Sequence, residues 1–270
     1  MTRVLEPRRL LDLEGAVNVR DLGGYATADG RSVRWKTILR ADNVGGLPPE
    51  SQAALVDYGV RAVIDLRRDS QIENLGNVFA ESPWVTFYHQ QMVSDDTPEE
   101  MAASSEIAES WMQRMGNLES SPLRAANYCM RLDTRQEVIR GTLSTLAAPG
   151  TLPALFHCQA GKDRAGIMAA LVLGIADVPY ETIAEDYELS GHYRWRASLT
   201  EREINEPYED APPEAFDADA YEMFRQGSPA ETMVEVLEYL DDRYGGIEGY
   251  VRDAGVTEDE ITALRAAIVE

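Results

Sequence analysis

Cys158 and Arg164 lie six positions apart in the stretch His157-Cys158-Gln159-Ala160-Gly161-Lys162-Asp163-Arg164-Ala165-Gly166. A thiol attacks well only as its thiolate, and a planar guanidinium can grip two oxygens of one oxyanion. An apolar run, Leu152 to Phe156, leads into the stretch, and a strongly helical run, Ile167 to Ile175, leads out. The two groups are therefore expected on a strand-to-helix turn. Backbone N–H groups in such a turn can converge on one point and add to the partial positive charge of a helix N-terminus. That geometry suits an anion and favours the thiolate of Cys158, so one loop would hold an electrophile and its nucleophile.

Other chemistries find less support. A nucleotide-gripping loop needs Gly-x4-Gly-Lys-Ser/Thr, but Phe156 stands at the first glycine position and Asp163 where the hydroxyl belongs. The three histidines, His89, His157 and His192, lack metal-ligand spacing, and no Gly-x-Ser-x-Gly occurs. No metal site and no serine triad is expected. Cys158 read as a small core hydrophobe sits poorly beside Gly161, Lys162 and Arg164.

The Cys-x5-Arg turn resembles the phosphate-binding loop of the cysteine-dependent phosphatases. The longer string His-Cys-x-x-Gly-Lys-Asp-Arg resembles that of the bacterial atypical protein-tyrosine and phosphoinositide phosphatases. Asn18-Val19-Arg20-Asp21-Leu22-Gly23-Gly24-Tyr25 is similar to the N-terminal motif of the same family, and the two motifs bracket well over half the chain. The resemblance implies an α/β fold of the tyrosine-phosphatase type and a phosphomonoesterase that needs neither metal nor cofactor. Cys158 would attack phosphorus in line while Arg164 and the loop residues Gln159, Ala160, Gly161 and Lys162 hold the equatorial oxygens. Water would then hydrolyse the phosphocysteine.

Asp163 is the proton donor that the resemblance implies; the alternative is a helix-capping or first-turn carboxylate. Of 25 basic residues only Lys36 and Lys162 are lysine, so a lysine inside the loop suggests that a compact ammonium is wanted there. The resemblance also draws Arg20 toward the active site, where the residue alone would read equally as a surface arginine. Ala165 departs from the pattern, which has threonine or serine there to help sulfur leave, so slow breakdown of the phosphoenzyme is expected. The implied substrate is a phosphotyrosine protein first and a phosphoinositide second. Two rivals stay open: a cysteine-dependent arsenate reductase or sulfurtransferase, and an inactive phosphatase-like module that binds a phosphorylated ligand.

The elements that must position these groups can be read in order. Asp29-Gly30 marks a hairpin tip before a strand through Val33, Trp35, Ile38 and Leu39. Pro48-Pro49-Glu50 starts a helix that Gly59 ends, and a short buried strand, Val60 to Leu66, follows. Helix then strand implies a parallel crossover. Ligands of open α/β sheets gather beyond the carboxyl ends of the strands, where Arg67 and Arg68 would lie; one of them is expected to support the loop or its substrate, the alternative being surface pairing with Asp69 or Glu73. Trp84 to Tyr88 is a third strand, followed by an acidic loop whose Asp95 and Asp96 are either solvated or a mobile general acid.

Helices are expected over Pro98 to Met115 and Ser121 to Leu132, and from an Asp133/Gln136 capping pair to Leu146. Cys129 lies on an apolar helical face and reads as a buried structural thiol. The helix Ala165 to Ala176, apolar nearly all round, should be central. Another starts at Pro179. Asn205 to Asp217, acidic and proline-rich, reads as a loop or flap. Ser228 and Thr257 cap the last two helices.

Composition sets the outer limits. At 270 residues the chain can bury a sizeable core, and without a convincing linker it reads as one domain, 1–270. A formal net charge of -22 argues against nucleic acid or an anionic membrane as partner, so any positive potential must be made locally. The N-terminus has no apolar signal core and no apolar run is long enough to span a bilayer, so no stable membrane insertion is expected. Two cysteines make no disulfide framework. A reduced, cytoplasmic protein is expected.

Overall fold

The computed structural model describes residues 6–93, 120–196 and 227–270. Its sheet has five strands: β1 (Arg20–Asp21), β2 (Ile38–Ala41), β3 (Ala62–Asp65), β4 (Thr86–His89) and β5 (Ala154–His157), in the order β1-β2-β5-β3-β4. β1 is an antiparallel edge; the other four strands are parallel. The described helices are α1 (Pro49–Tyr58), α2 (Asp69–Leu75), α3 (Ser120–Thr134), α4 (Gln136–Ala147), α5 (Asp163–Ile175), α6 (Tyr180–Arg196), α7 (Ala230–Tyr244), α8 (Ile247–Asp253) and α9 (Glu258–Ile268).

Alternation along the strands divides the core between the two faces of the sheet. Ile38, Ala62, Ile64, Ala154 and Phe156 face the larger layer, built on α5, and Leu39, Val63 and Leu155 face a smaller one with Leu55 and Val19. By the same alternation Arg40 and Cys158 fall on the α5 side. Ten of the residues of α5 are buried, as its all-round apolar sequence requires. The fold is thus the expected mixed, largely parallel α/β arrangement.

Several local expectations change. The strand through Val33 and Trp35 does not form, because Lys36 takes a left-handed φ of 56° and breaks it; Val33 makes an isolated bridge to Val269 and backbone hydrogen bonds to Gly24 and Tyr25. The Asp29-Gly30 tip is present, closed by a Thr27 N–H to Arg31 O bond of 3.0 Å. Asp133 caps nothing: it lies inside α3 and accepts the Tyr239 and Tyr244 hydroxyls, each at 2.7 Å. Ser228 likewise donates to Glu188 O rather than capping α7, whose N-cap is Pro229. The Thr257/Glu260 capping box forms as expected. Cys129 is buried, and burial pushes its thiol upward, as suits a structural residue. Asp95, Asp96, the Pro98 to Met115 helix and the Asn205 to Asp217 segment lie outside the described residues. Among the described residues no helix is long and apolar enough to cross a membrane.

Close packing of α5 on α8 rests on Gly174, where an added Cβ would lie 2.2 Å from Ile247 Cδ1 and 2.8 Å from its Cγ2. Alanine is the better helix former by about 1 kcal/mol, but overpacking costs about 1–3 kcal/mol and a β-branched neighbour turns aside poorly. Gly174→Ala is therefore expected to be destabilising in urea unfolding. Combining it with Ile247→Ala should remove that added penalty; a Gly174→Ala variant at least as stable as the parent would contradict this packing.

Candidate active site

β2, β5 and β3 run parallel and end in step, with Ala41 and Asp65 both in register with His157. The residues just beyond form a rim: Asp42, Cys158 and Leu66. Cys158 sits at the floor of the cleft, 1% exposed, and its backbone N–H reaches Ala41 O at 3.4 Å. The loop then turns through Gly161, whose φ is 66°, and α5 begins at Asp163 without a side-chain cap. No other residue fits at Gly161, since a Cβ there would lie 2.5 Å from Asp42 N and 2.7 Å from Ala41 C, both backbone atoms.

The loop carbonyls are tied down from behind. Asn18 Nδ2 donates to Ala160 O at 3.3 Å and to Gly161 O at 3.2 Å. Arg40 Nη2 donates to Gly161 O at 2.8 Å and to Lys162 O at 3.3 Å. A trans peptide sends its N–H opposite to its C=O. Holding these carbonyls on the core side turns the N–H groups of Gly161, Lys162 and Asp163 the other way, toward the cleft. The first-turn amides of α5, which have no intrahelical partner, add to them. Such an arrangement of amides can hold an anion.

The donors are themselves fixed by one carboxylate. Asp186 of α6, 1% exposed, accepts from Arg20 Nε at 3.1 Å, Arg40 Nη1 at 2.6 Å and the Tyr25 hydroxyl at 2.9 Å. Arg20 also hydrogen-bonds Asn18 Oδ1, which orients the Asn18 amide toward the loop. Burial alone would raise Asp186, but Arg20 and Arg40 overcome it and hold the carboxyl well below its usual range. Burial, then the neighbouring Arg20, lowers the Arg40 guanidinium to about 10, which leaves it charged at neutral pH. Two cations against one anion leave a net positive charge behind the loop.

The N-terminal motif is thereby accounted for almost residue by residue. Asn18 holds the loop, and Arg20 and Tyr25 hold Asp186. Asp21 accepts from Gly23 N at 2.7 Å, Lys36 N at 2.7 Å and the Tyr58 hydroxyl at 2.6 Å. Gly23 and Gly24 leave room for Trp35, whose atoms would lie 2.5 Å and 2.4 Å from their added Cβ atoms.

On the opposite flank, Asp65 is fully buried and bonds Arg67, Asn77 Nδ2 at 2.9 Å and His157 Nε2 at 3.4 Å. Burial would raise Asp65, but its interactions with His157 and the hydrogen bonds from Arg67 and Asn77 hold it well below the carboxylate range. Arg67 also donates to Gly76 O at 2.8 Å, bracing the segment after β3. That segment supplies Leu66 O and Gln71 Oε1, which take Arg164 Nη1 at 3.2 Å and 3.0 Å.

The resulting cleft of about 460 Å³ is lined by Arg68, Arg131, Arg164, Asp163, Gln71 and Cys158, with Gln159, Ala160 and Val93. Of the residues singled out in the sequence, Cys158, Gln159, Ala160, Asp163 and Arg164 come together here. Gly161 and Lys162 complete the loop, Lys162 Nζ lying 3.6 Å from Asp163 Oδ1. Burial lowers the Lys162 ammonium from its ordinary value. Arg20 and Arg67, expected at the substrate, are fully buried, pair with the buried carboxylates of Asp186 and Asp65, and do not line the cleft. Arg68, the alternative to Arg67, lines the cleft.

Arg40, Asp186, Arg131 and Tyr128 were not legible as site residues. Arg40 and Asp186 did leave a signal. Each is a charge inside an otherwise apolar stretch, Ile38-Leu39-Arg40-Ala41 and the Ile183, Ala184, Tyr187 stripe.

A family model described as the tyrosine phosphatase family matches residues 11–270 of this chain. The chain is 29% identical over 233 residues to a tyrosine-protein phosphatase of Nostoc commune, covering 86% of this chain and 74% of that one. It is 27% identical over 286 residues to the triple specificity protein phosphatase PtpB of Mycobacterium tuberculosis, covering 96% of this chain and 98% of that one. A match to the crystal structure of P. aeruginosa TpbA covers 78% of this chain and 96% of that chain at 16% identity, with a TM-score of 0.29.

The depressed carboxyl of Asp186 gives the site a pH signature. Its folded value lies below its unfolded value of about 3.9, so its stabilisation is complete above that pH and is lost as pH falls below it. Asp186→Asn leaves two buried cations uncompensated and is expected to cost about 3–5 kcal/mol near neutrality. Urea unfolding should show that gap narrowing below about pH 4. A gap that stays constant down to about pH 3 would contradict the linkage.

Proposed function

Because the chain belongs to the tyrosine phosphatase family, we propose that it acts through a phosphocysteine on Cys158. The carrying observation is the loop itself: carbonyls held by Asn18 and Arg40 on one side, the Cys158 thiol and Arg164 on the other. A phosphate seated in the loop puts phosphorus over Cys158 Sγ, with its equatorial oxygens on the amides of residues 159–164 and on the Arg164 fork. Those donors are fixed before the charge develops, so they stabilise the transition state without reorganising. Asp163, at the mouth of the loop, protonates the leaving oxygen and later takes the proton of the attacking water. Lys162 adds charge close to that carboxylate. No step needs a metal or cofactor.

The substrate is a phosphotyrosine protein, with phosphoinositide or dual-specificity activity second. Arg68, Arg131 and Arg164 converge on one cleft of a chain whose net charge is -22, which supports a locally attractive site for anionic substrates. A relative named as a triple specificity protein phosphatase supports the second activity. Ranking phosphotyrosine peptides against phosphoinositides by kcat/KM tests the order; a preference for the lipid would reverse it.

Turnover of p-nitrophenyl phosphate in excess chelator is the direct test of the reaction, and Cys158→Ser should reduce it to background. Activity surviving Cys158→Ser would overturn the nucleophile. Phosphate binding without turnover in the parent would instead leave a phospho-ligand binding module.

Ala165 adds a kinetic expectation. It is fully buried in the first turn of α5, where a hydroxyl would help the sulfur leave. Without it breakdown of phosphocysteine should limit kcat, and rapid-quench kinetics should show a burst of leaving group near one per site. Ala165→Ser, which adds one oxygen and no branch, should raise kcat about tenfold if the barrier falls by about 1.4 kcal/mol, with kcat/KM nearly constant. No burst in the parent and an unchanged kcat in the variant would show that breakdown is not limiting.

A further inference from the structure

Tyr128 of α3 and Tyr187 of α6 are both 1% exposed, and their hydroxyls meet at 2.8 Å. Their rings pack edge to face with centroids 6.1 Å apart. The Tyr128 hydroxyl hydrogen-bonds Asp163 Oδ1. Lys162 Nζ approaches the same oxygen at 3.6 Å. The Tyr128 bond and this Lys162 approach both fall on Oδ1, and Arg131, which lines the same cleft, adds charge near the carboxyl. Burial raises both phenols, Tyr187 to about 12 and Tyr128 further still, so both hydroxyls keep their protons under working conditions.

A carboxyl can be protonated on either oxygen, but only one orientation delivers the proton to a leaving group in the cleft. Tyr128 has one proton to give. Either hydroxyl can donate in the Tyr128–Tyr187 bond; when Tyr187 donates to Tyr128 Oη, the Tyr128 proton is committed to Asp163 Oδ1. In that orientation a proton on Oδ1 would face the Tyr128 donor and the Lys162 cation, which favours Oδ2 as its place.

We propose that Tyr128, held by Tyr187, is a positioning residue for leaving-group protonation: it occupies Oδ1 of Asp163 and so confines the transferable proton to Oδ2. The inference rests on the reading of Asp163 as general acid. In the step concerned the Cys158 sulfur–phosphorus bond forms as the bond from phosphorus to the leaving oxygen breaks. The Oδ2 proton passes to that oxygen, releasing a neutral phenol and leaving Asp163 as a carboxylate whose Oδ1 still accepts from Tyr128.

The test compares two leaving groups by kcat/KM, which reports events up to phosphoenzyme formation and is insensitive to slow breakdown. Phenolate is a poor leaving group that needs the proton; p-nitrophenolate leaves well without it. Tyr128→Phe keeps the ring and removes only the hydroxyl. It is expected to lower kcat/KM for phenyl phosphate by about tenfold and for p-nitrophenyl phosphate by less than about twofold, while Tyr187→Phe gives a weaker form of the same asymmetry.

Asp163→Asn, run in parallel, should show the asymmetry at about a hundredfold. Equal losses on both substrates in Tyr128→Phe would assign the hydroxyl a merely structural role and overturn the inference. So would no loss on either substrate while Asp163→Asn stays asymmetric, and in both cases the acid assignment stands. An Asp163→Asn variant without asymmetry would overturn the acid assignment and this inference with it.

Discussion

One buried carboxylate organises the site. Asp186 lies in the core between Arg20 and Arg40, and a lone charge there would cost several kcal/mol. Its two guanidiniums and the Tyr25 hydroxyl compensate it, and what they have left over is spent on the loop: Arg40 directly on the carbonyls of Gly161 and Lys162, Arg20 through Asn18. Three distant parts of the chain, the N-terminal motif, β2 and α6, are thereby locked to the turn that carries Cys158. A buried salt bridge is a weak argument for stability in general. Here its effect is directional, since it decides which way a set of peptide units faces.

The same constraint explains how a strongly acidic protein can hold an anion. The positive field comes from aligned backbone amides, an uncapped helix end and a net cation behind the loop, all within one corner of the sheet. Long-range repulsion is screened over about 8–10 Å at physiological salt, so these close sources dominate once a phosphoryl group has entered. The arginines on the rim, Arg68 and Arg131, carry the field outward into the cleft.

What the sequence disclosed follows from the range of the interactions. The turn from Cys158 to Arg164 was legible because strand, loop and helix are consecutive and the chemistry is local. Arg40 and Asp186 were not, because the bond between them joins residues 146 apart and neither residue's neighbours specify the other. Arg20 and Arg67 were assigned to substrate because an arginine near a phosphate site reads the same whether it faces the ligand or a buried carboxylate. Asp133 and Ser228 show the same ambiguity on a smaller scale. Each stands where a cap would, yet one accepts tyrosine hydroxyls from α7 and the other bonds a carbonyl of α6. Strand β2 came out shorter than its apolar pattern because the backbone turns at Lys36, which leaves no mark in hydropathy.

The central claim is that the buried cations aim the loop, and Arg40→Met tests it most directly. Methionine keeps most of the length without charge or donors, and Arg20 with Asp186 then remain as a neutral pair, so no buried charge is left uncompensated although the net positive charge behind the loop is lost. Binding of inorganic phosphate, measured by titration calorimetry on a variant shown by circular dichroism to be folded, should weaken at least about tenfold, or about 1.4 kcal/mol. Parent affinity in that variant would mean that the loop holds its geometry unaided, and would contradict the account.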